Sequence, residues 1–306
     1  YRCKKRWSSV TVQCIKNIQI RIGENKMLKR QDKVIASLFI LPSVVGTTLL
    51  TAVPFLNVIY NSFYSTAVGS ISWENYKMVF TNPAFKLALK NSYLFSFISV
   101  TVLYLISITM STVLVFYTKG KFIKNVKRVL AIPTVLPIST IALYEIVLFD
   151  KFGIINGILH VKQLSNVDWL EAKPIFVILV ISFIGKNLGM AVILWGAGIT
   201  NISESIIEAS QLDGANKKQC FFYIILPNLK KTKYLVLLYF LIQSFKGFRE
   251  IYLISGDYPY EGVYFLQNIF NNWFRDMELG FLAAGSVINI VILLIIIYLL
   301  QKKFCK

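Results

Sequence analysis

Apolar residues gather in six long runs, separated by short polar or basic stretches. The first lies within Val34 to Tyr60, inside a window from Val34 to Trp73 that holds no charge. The others run from about Ser92 to Tyr117, Val129 to Phe149, Pro174 to Ile199, Tyr234 to Ser255 and Leu279 to Leu300. Each is close to the roughly 20 residues that cross a bilayer core as a helix. The pattern predicts an all-α membrane protein with six transmembrane helices. Pro42 and Pro54 in the first run, and Pro133 and Pro137 in the third, predict bends, because proline removes a backbone donor and crowds the preceding turn. Such bends serve either the packing of curved helices or a gating hinge. Between the fifth and sixth runs, Leu266, Ile269, Phe270 and Trp273 fall at helical spacing. This stretch, Val263 to Phe274, reads as an amphipathic helix lying on the outer membrane surface as an anchor.

Composition agrees with the runs. Of 306 residues, 56% are hydrophobic and only 16% charged. The net charge of +18 does not argue for nucleic acid as a partner, because the basic residues flank apolar runs, where they suit anionic lipid and set topology. Of the 33 Lys and Arg residues, 23 lie in the N-terminal segment, the second-to-third and fourth-to-fifth connections and the C-terminus, and 7 in the alternate connections. The positive-inside rule then places both termini in the cytoplasm. Trp73, Trp169 and Trp273 fall in the outer connections, where an interfacial aromatic belt is expected. The first thirty residues lack a continuous apolar core, so no cleavable signal peptide is expected.

Catalysis finds little material. His160 is the only histidine, and the few acids are scattered, which argues against a metal centre or a membrane enzyme. Cys3, Cys14, Cys220 and Cys305 all fall in segments assigned to the cytoplasm, so no disulfide framework is expected. No G-x-x-x-x-G-K-[ST] phosphate loop occurs, so this chain has no means of binding ATP itself by that device.

Five charges fall inside predicted spans: Glu145, Lys186, Lys246, Arg249 and Glu250. A charge at bilayer depth costs on the order of 3 kcal/mol, so such residues face a partner or a cavity. Lys246 and Glu250 stand four apart and could pair on one face. The alternatives are structural ion pairs or a polar path for a hydroxyl-rich solute. The candidate path residues are Lys186, Asn187, Ser244, Lys246, Phe248, Arg249 and Glu250, with Phe248 and Tyr252 offering apolar faces to sugar rings.

The fourth-to-fifth connection is unlike the rest. Asn201 or Ser203 can cap a short helix ending at Leu212, and Gly214 can turn the chain out of it. A second helix begins near Asn216 and leads to Pro227. Ile206, Ile207, Ala209 and Leu212 have no evident core of their own, which invites a partner. The stretch EASQLDGANKKQCFFYIILP, from Glu208 to Pro227, resembles the EAA loop of binding-protein-dependent ABC importer permeases, with Ser210 where that family usually has a second Ala. SFIGKNLGMAVILWGAGI and SFKGFREIYLIS in the fourth and fifth runs are similar to its sugar-permease, maltose-type branch.

The resemblance covers roughly Lys86 to Leu300. It implies a type I importer permease fold: a cytoplasmic segment over 1–33, a first span over 34–60, and a permease domain over 86–301 with its coupling loop at about 200–228. It implies that Glu208, Ala209, Asp213, Gly214 and Ala215 form a coupling helix docked on an ATPase. The implied partners are a second homologous permease subunit, two ATP-binding-cassette ATPase subunits that hold ATP and Mg, an extracytoplasmic solute-binding protein, and membrane lipid. The implied location is the bacterial plasma membrane and the implied cargo a carbohydrate, with glycerol phosphate or another polar solute as the alternative. An ion-coupled secondary transporter is the competing class. It would need no ATPase, and it leaves the EAA-like loop unexplained.

Overall fold

A computed structural model describes residues 35, 37–65, 69–117, 121–161, 169–170 and 173–304. The basic segment 1–33, with Cys3 and Cys14, and Cys305 lie outside the described residues. The chain divides into two units, Tyr1–Tyr60 and Asn61–Lys306.

The described part of the first unit is an apolar helix, α1, which runs over Ser37–Phe63 into the second unit. Pro54 does not break it. The turn just before the proline, Thr48–Ala52, is π-helical, and the Val53 N–H bonds the Thr48 carbonyl. The widened turn moves backbone away from the proline ring, which would otherwise collide with the carbonyl four residues back.

Among the described residues of the second unit, the regular structure is helical apart from a two-residue antiparallel ladder, β1 (Tyr64–Ser65) with β2 (Ser70–Ile71). Its helices are α2 (Glu74–Thr81), α3 (Pro83–Tyr117), α4 (Lys121–Val135), α5 (Ile138–Phe149), α6 (Ile154–Val161), α7 (Pro174–Thr200), α8 (Glu204–Leu212), α9 (Lys217–Cys220), α10 (Lys230–Ser244), α11 (Phe248–Ser255), α12 (Leu266–Arg275) and α13 (Leu279–Phe304). A π turn, Phe221–Ile225, follows α9 directly, and the Leu226 N–H bonds the Phe221 carbonyl just ahead of Pro227. The chain thus uses one device at two prolines, with the same spacing.

Among the described residues, four helices are long and apolar enough to cross a membrane: Ser37–Phe63, Pro83–Val115, Pro174–Thr200 and Leu279–Phe304. They match the first, second, fourth and sixth predicted runs. The third and fifth depart from a straight span. Asn125–Val135 and Ile138–Leu159 meet at 92°, with Pro137 at the corner capping α5. Counted as one span, the pair gives a fifth crossing. The fifth predicted run is interrupted between α10 and α11. There the N–H groups of Lys246, Gly247, Arg249 and Glu250 each bond the carbonyl three residues back, a tightened connection in place of the α-helical ladder.

The main core joins α3, α7 and α10 around Trp195, whose Nε1 donates to Ser107 Oγ at 3.0 Å. A second cluster holds the apolar face of α12: Leu266, Ile269, Phe270 and Trp273 pack with Val79, Phe85, Ala284 and Ile288. This corrects the reading of α12 as a membrane-surface anchor, because its apolar stripe is buried in protein. Trp273, only 6% exposed, likewise does not serve the interfacial belt, whereas Trp73 is 71% exposed. Trp169 donates to Asn156 Oδ1 at 3.1 Å.

Candidate functional site

The elbow between α7 and α10 is built by local chemistry. Gly214 sits at φ +82°, the left-handed region that ends a helix. The Ala215 N–H reaches back to the Ser210 carbonyl at 2.9 Å, closing the turn over the last residues of α8. Asn216 then starts α9 with a reciprocal cap: its Oδ1 accepts the Gln219 N–H at 2.9 Å, and Gln219 Oε1 accepts the Asn216 N–H at 2.8 Å. Ser210, in the position where Ala is usual for the resembled loop, is buried. Its Oγ donates to the Ile207 carbonyl at 2.7 Å and lies 3.6 Å from Cys220 Sγ, which links the two arms.

Glu208, Ala209, Asp213 and Gly214 are exposed, and Ala215 is half-buried. Leu212 is 89% exposed, with Ile206, Phe222 and Tyr223 also open. Asp213, Gly214, Ala215, Gln219, Tyr223 and Ile224 line a shallow groove of about 310 Å³. A rigid, doubly capped elbow therefore presents apolar side chains and a carboxylate outward, with no core of its own beneath Leu212.

The charges within the spans fall into two groups. Lys186 Nζ on α7 donates to Glu250 Oε1 on α11 at 3.1 Å. Glu250 pairs across helices, not with Lys246 on its own face as the spacing suggested. Glu145 on α5 is 3% exposed and lies within electrostatic reach of both partners, with Ser182 beside it. Neither carboxylate oxygen of Glu145 meets hydrogen-bond geometry with another described residue. Three helices thus converge on two carboxylates and one ammonium. Lys246 and Arg249 are exposed, so the break after Ser244 turns them outward while Glu250 turns in.

The uncharged candidates are engaged locally. Asn187 Nδ2 donates to the Phe183 carbonyl at 2.8 Å, within α7. Ser244 Oγ donates to the Leu241 carbonyl and lies 2.7 Å from Ser96 Oγ, tying α10 to α3. The side chain of Phe248 lies outside the described residues.

Residues 105–304 match the family model described as "Binding-protein-dependent transport system inner membrane component". The chain belongs to this family. It is the permease of a type I ABC importer, a multi-pass membrane protein. The permease is 27% identical over 286 residues to the "Probable ABC transporter permease protein YurN" of Bacillus subtilis, which covers 90% of this chain and 97% of that one. It is 26% identical to the "Sulfoquinovosyl glycerol transport system permease protein SmoG" of Agrobacterium fabrum, over 88% of this chain and 92% of that one. A solved bacterial ABC transporter "involved in the import of the acidic polysaccharide alginate" has the same fold, with a TM-score of 0.80 and 21% identity over 91% of this chain and 96% of that one.

Sequence reasoning missed a cavity of about 970 Å³ in the permease, beyond the ends of α5 and α11. Asp150, Lys151, Phe152, Tyr258, Tyr260 and Glu261 line it. These residues come from two connections about a hundred positions apart, so no local spacing could join them. The only sequence signal was an unusual mix of aromatic and charged residues, DYPYE, after the fifth run.

Proposed function

We propose that the permease carries a carbohydrate, an oligosaccharide first of all, inward across a bacterial plasma membrane, with both termini cytoplasmic. It works beside a second homologous permease, two ATPase subunits that bind ATP and Mg, and an extracytoplasmic solute-binding protein. The observation that supports this best is the exposed elbow of α8 and α9. A short, doubly capped lever on two membrane helices passes ATPase closure to the spans as rigid-body rocking. Glu208 meets a basic residue of the ATPase, and Leu212 fills an apolar site there.

The cargo reading rests on chemistry and on relatives. The cavity beyond α5 and α11 pairs aromatic rings with charged hydrogen-bonding groups, a set suited to sugars. Named relatives serve sulfoquinovosyl glycerol, arabinooligosaccharides and trehalose/maltose. The buried cluster holds one ammonium to two carboxylates, which weighs against glycerol phosphate.

The test is purification of the tagged chain in mild detergent, followed by reconstituted uptake. A second permease and an ATPase should come with it, and uptake should require ATP and the binding protein. Uptake by the chain alone without ATP would replace this reading with an ion-coupled transporter.

Two substitutions probe the parts. A Cβ at Gly214 meets nothing within 4 Å, so its cost is the backbone alone. The left-handed conformation costs a non-glycine residue about 1–2 kcal/mol. Gly214→Val should weaken ATPase co-purification about tenfold, while Gly214→Asn, which tolerates that conformation, should keep most of it. Equal behaviour of the two variants would remove the turn from the coupling role. Arg249→Ala should shift the substrate dose response of ATPase activity if the exposed guanidinium lines the path. An unchanged dose response would assign Arg249 to the surface.

A further inference from the structure

We propose that the permease holds an anionic phospholipid between α3, α10 and α13, with its headgroup on a cluster of five lysines and an acyl chain in the apolar groove beneath. Phe97, Val100, Leu237, Leu241, Ile296 and Leu300 are among the residues that line this groove of about 380 Å³. Phe97 is 71% exposed. On α3 the lining runs from Tyr93 to Thr101, about 12 Å of helix at 1.5 Å per residue.

The register places the charges at one end of that groove. Leu237 and Leu241 on α10 line it together with Leu300 and Ile296 on α13, so the start of one helix meets the end of the other. Lys233 is one turn beyond Leu237, with Lys230 and Lys231 just before it, and Lys302 and Lys303 follow Leu300. The five lysines therefore sit on the ends of α10 and α13 that adjoin one mouth of the groove.

Their setting calls for an outside anion. Lys230, Lys231 and Lys233 open α10 with no acidic residue in the first turn. A helix start carries positive partial charge, so cations there are unfavourable without a counter-charge. Lys230 and Lys233 repel each other. The two ion pairs among the described residues, Lys186–Glu250 and Arg275–Asp257, involve none of the five. An apolar slot under an uncompensated basic rim fits a ligand with a phosphodiester head and hydrocarbon tail better than it fits a protein helix, which would bring backbone dipoles and no such charge. Basic residues beside membrane helices attract anionic lipid by about 1 kcal/mol each, close to fivefold.

The experiment places a reporter in the groove. Phe97→Trp, in the permease reconstituted with its partner subunits, is followed by fluorescence in phosphatidylcholine vesicles holding a minority of phosphatidylglycerol. Either lipid is brominated in turn, and quenching is taken relative to the unsubstituted permease. Brominated phosphatidylglycerol should quench the added tryptophan at least about fivefold more per mole than brominated phosphatidylcholine, the preference that a single such lysine supplies. Changing the five lysines to Gln should erase that preference, and changing them to Arg should keep it. Equal quenching by both lipids in the Phe97→Trp protein would overturn the proposal, leaving only bulk lipid. Absence of quenching by either would overturn it too, since a protein segment would then cover the groove.

Discussion

Lys186→Met should destabilise the folded permease by about 3 kcal/mol, read from the midpoint of unfolding in a denaturing-detergent titration. The ammonium lies 3.1 Å from Glu250 Oε1, and the Glu250 side chain is 5% exposed. Removing one partner of a buried pair costs about 3–5 kcal/mol, because the other charge stays buried without compensation. Lys186 keeps 19% exposure, which puts the effect at the lower end. Glu145 makes the loss worse, since two carboxylates would then share one apolar seam. Adding Glu250→Gln to Lys186→Met should recover most of the stability, as replacing both members of such a pair is often near neutral. A single variant within about 0.5 kcal/mol of the parent would show that water screens the pair, and the cluster would lose its structural role.

Gly189→Ala should fail more visibly, as a several-fold loss of assembled complex. A Cβ at Gly189 would stand 1.9 Å from the Leu130 carbonyl oxygen and 2.4 Å from its carbonyl carbon. These are backbone atoms, so no rotamer change relieves the clash. The helices α4 and α7 would have to part by about 1.5 Å to regain ordinary contact. Small residues permit such close crossings in membranes, and overpacking costs about 1–3 kcal/mol or more. The crossing also carries the bond from Thr134 Oγ1 to the carbonyl of the ion-paired residue itself, Lys186, at 3.0 Å. Gly185→Ala supplies the control, because its Cβ would meet nothing within 4 Å on the same helix. Comparable yields of the two variants would mean that α4 and α7 do not cross closely in the assembled protein.

The elbow was the most legible part of the chain. Caps and turns act over three to five residues, so Gly214 and Asn216 marked its bend and its second helix from sequence alone. Four of the apolar runs were equally plain, since length and charge exclusion are local properties. The break at Phe245–Gly247 was hidden, because SFKGFRE combines strong helix formers with one glycine and only the fold decides which wins. The Lys186–Glu250 contact joins residues 64 positions apart, beyond the reach of any helical spacing rule. Helix α12 shows a further limit. Periodicity reports that Leu266, Ile269, Phe270 and Trp273 share a face, but lipid and protein are equally good apolar partners for that face.

The π turn at Phe221–Ile225 makes length a constraint where composition is not. One added residue separates it from an α turn, and each residue of a helix carries about 100° of rotation and 1.5 Å of rise. The orientation of the elbow relative to α10 is therefore a matter of counting. Phe222 and Tyr223 are exposed, so changes there leave this chain's buried core in place. The number of positions between Cys220 and Pro227 has no such freedom, because it alone sets the angle at which the elbow meets α10.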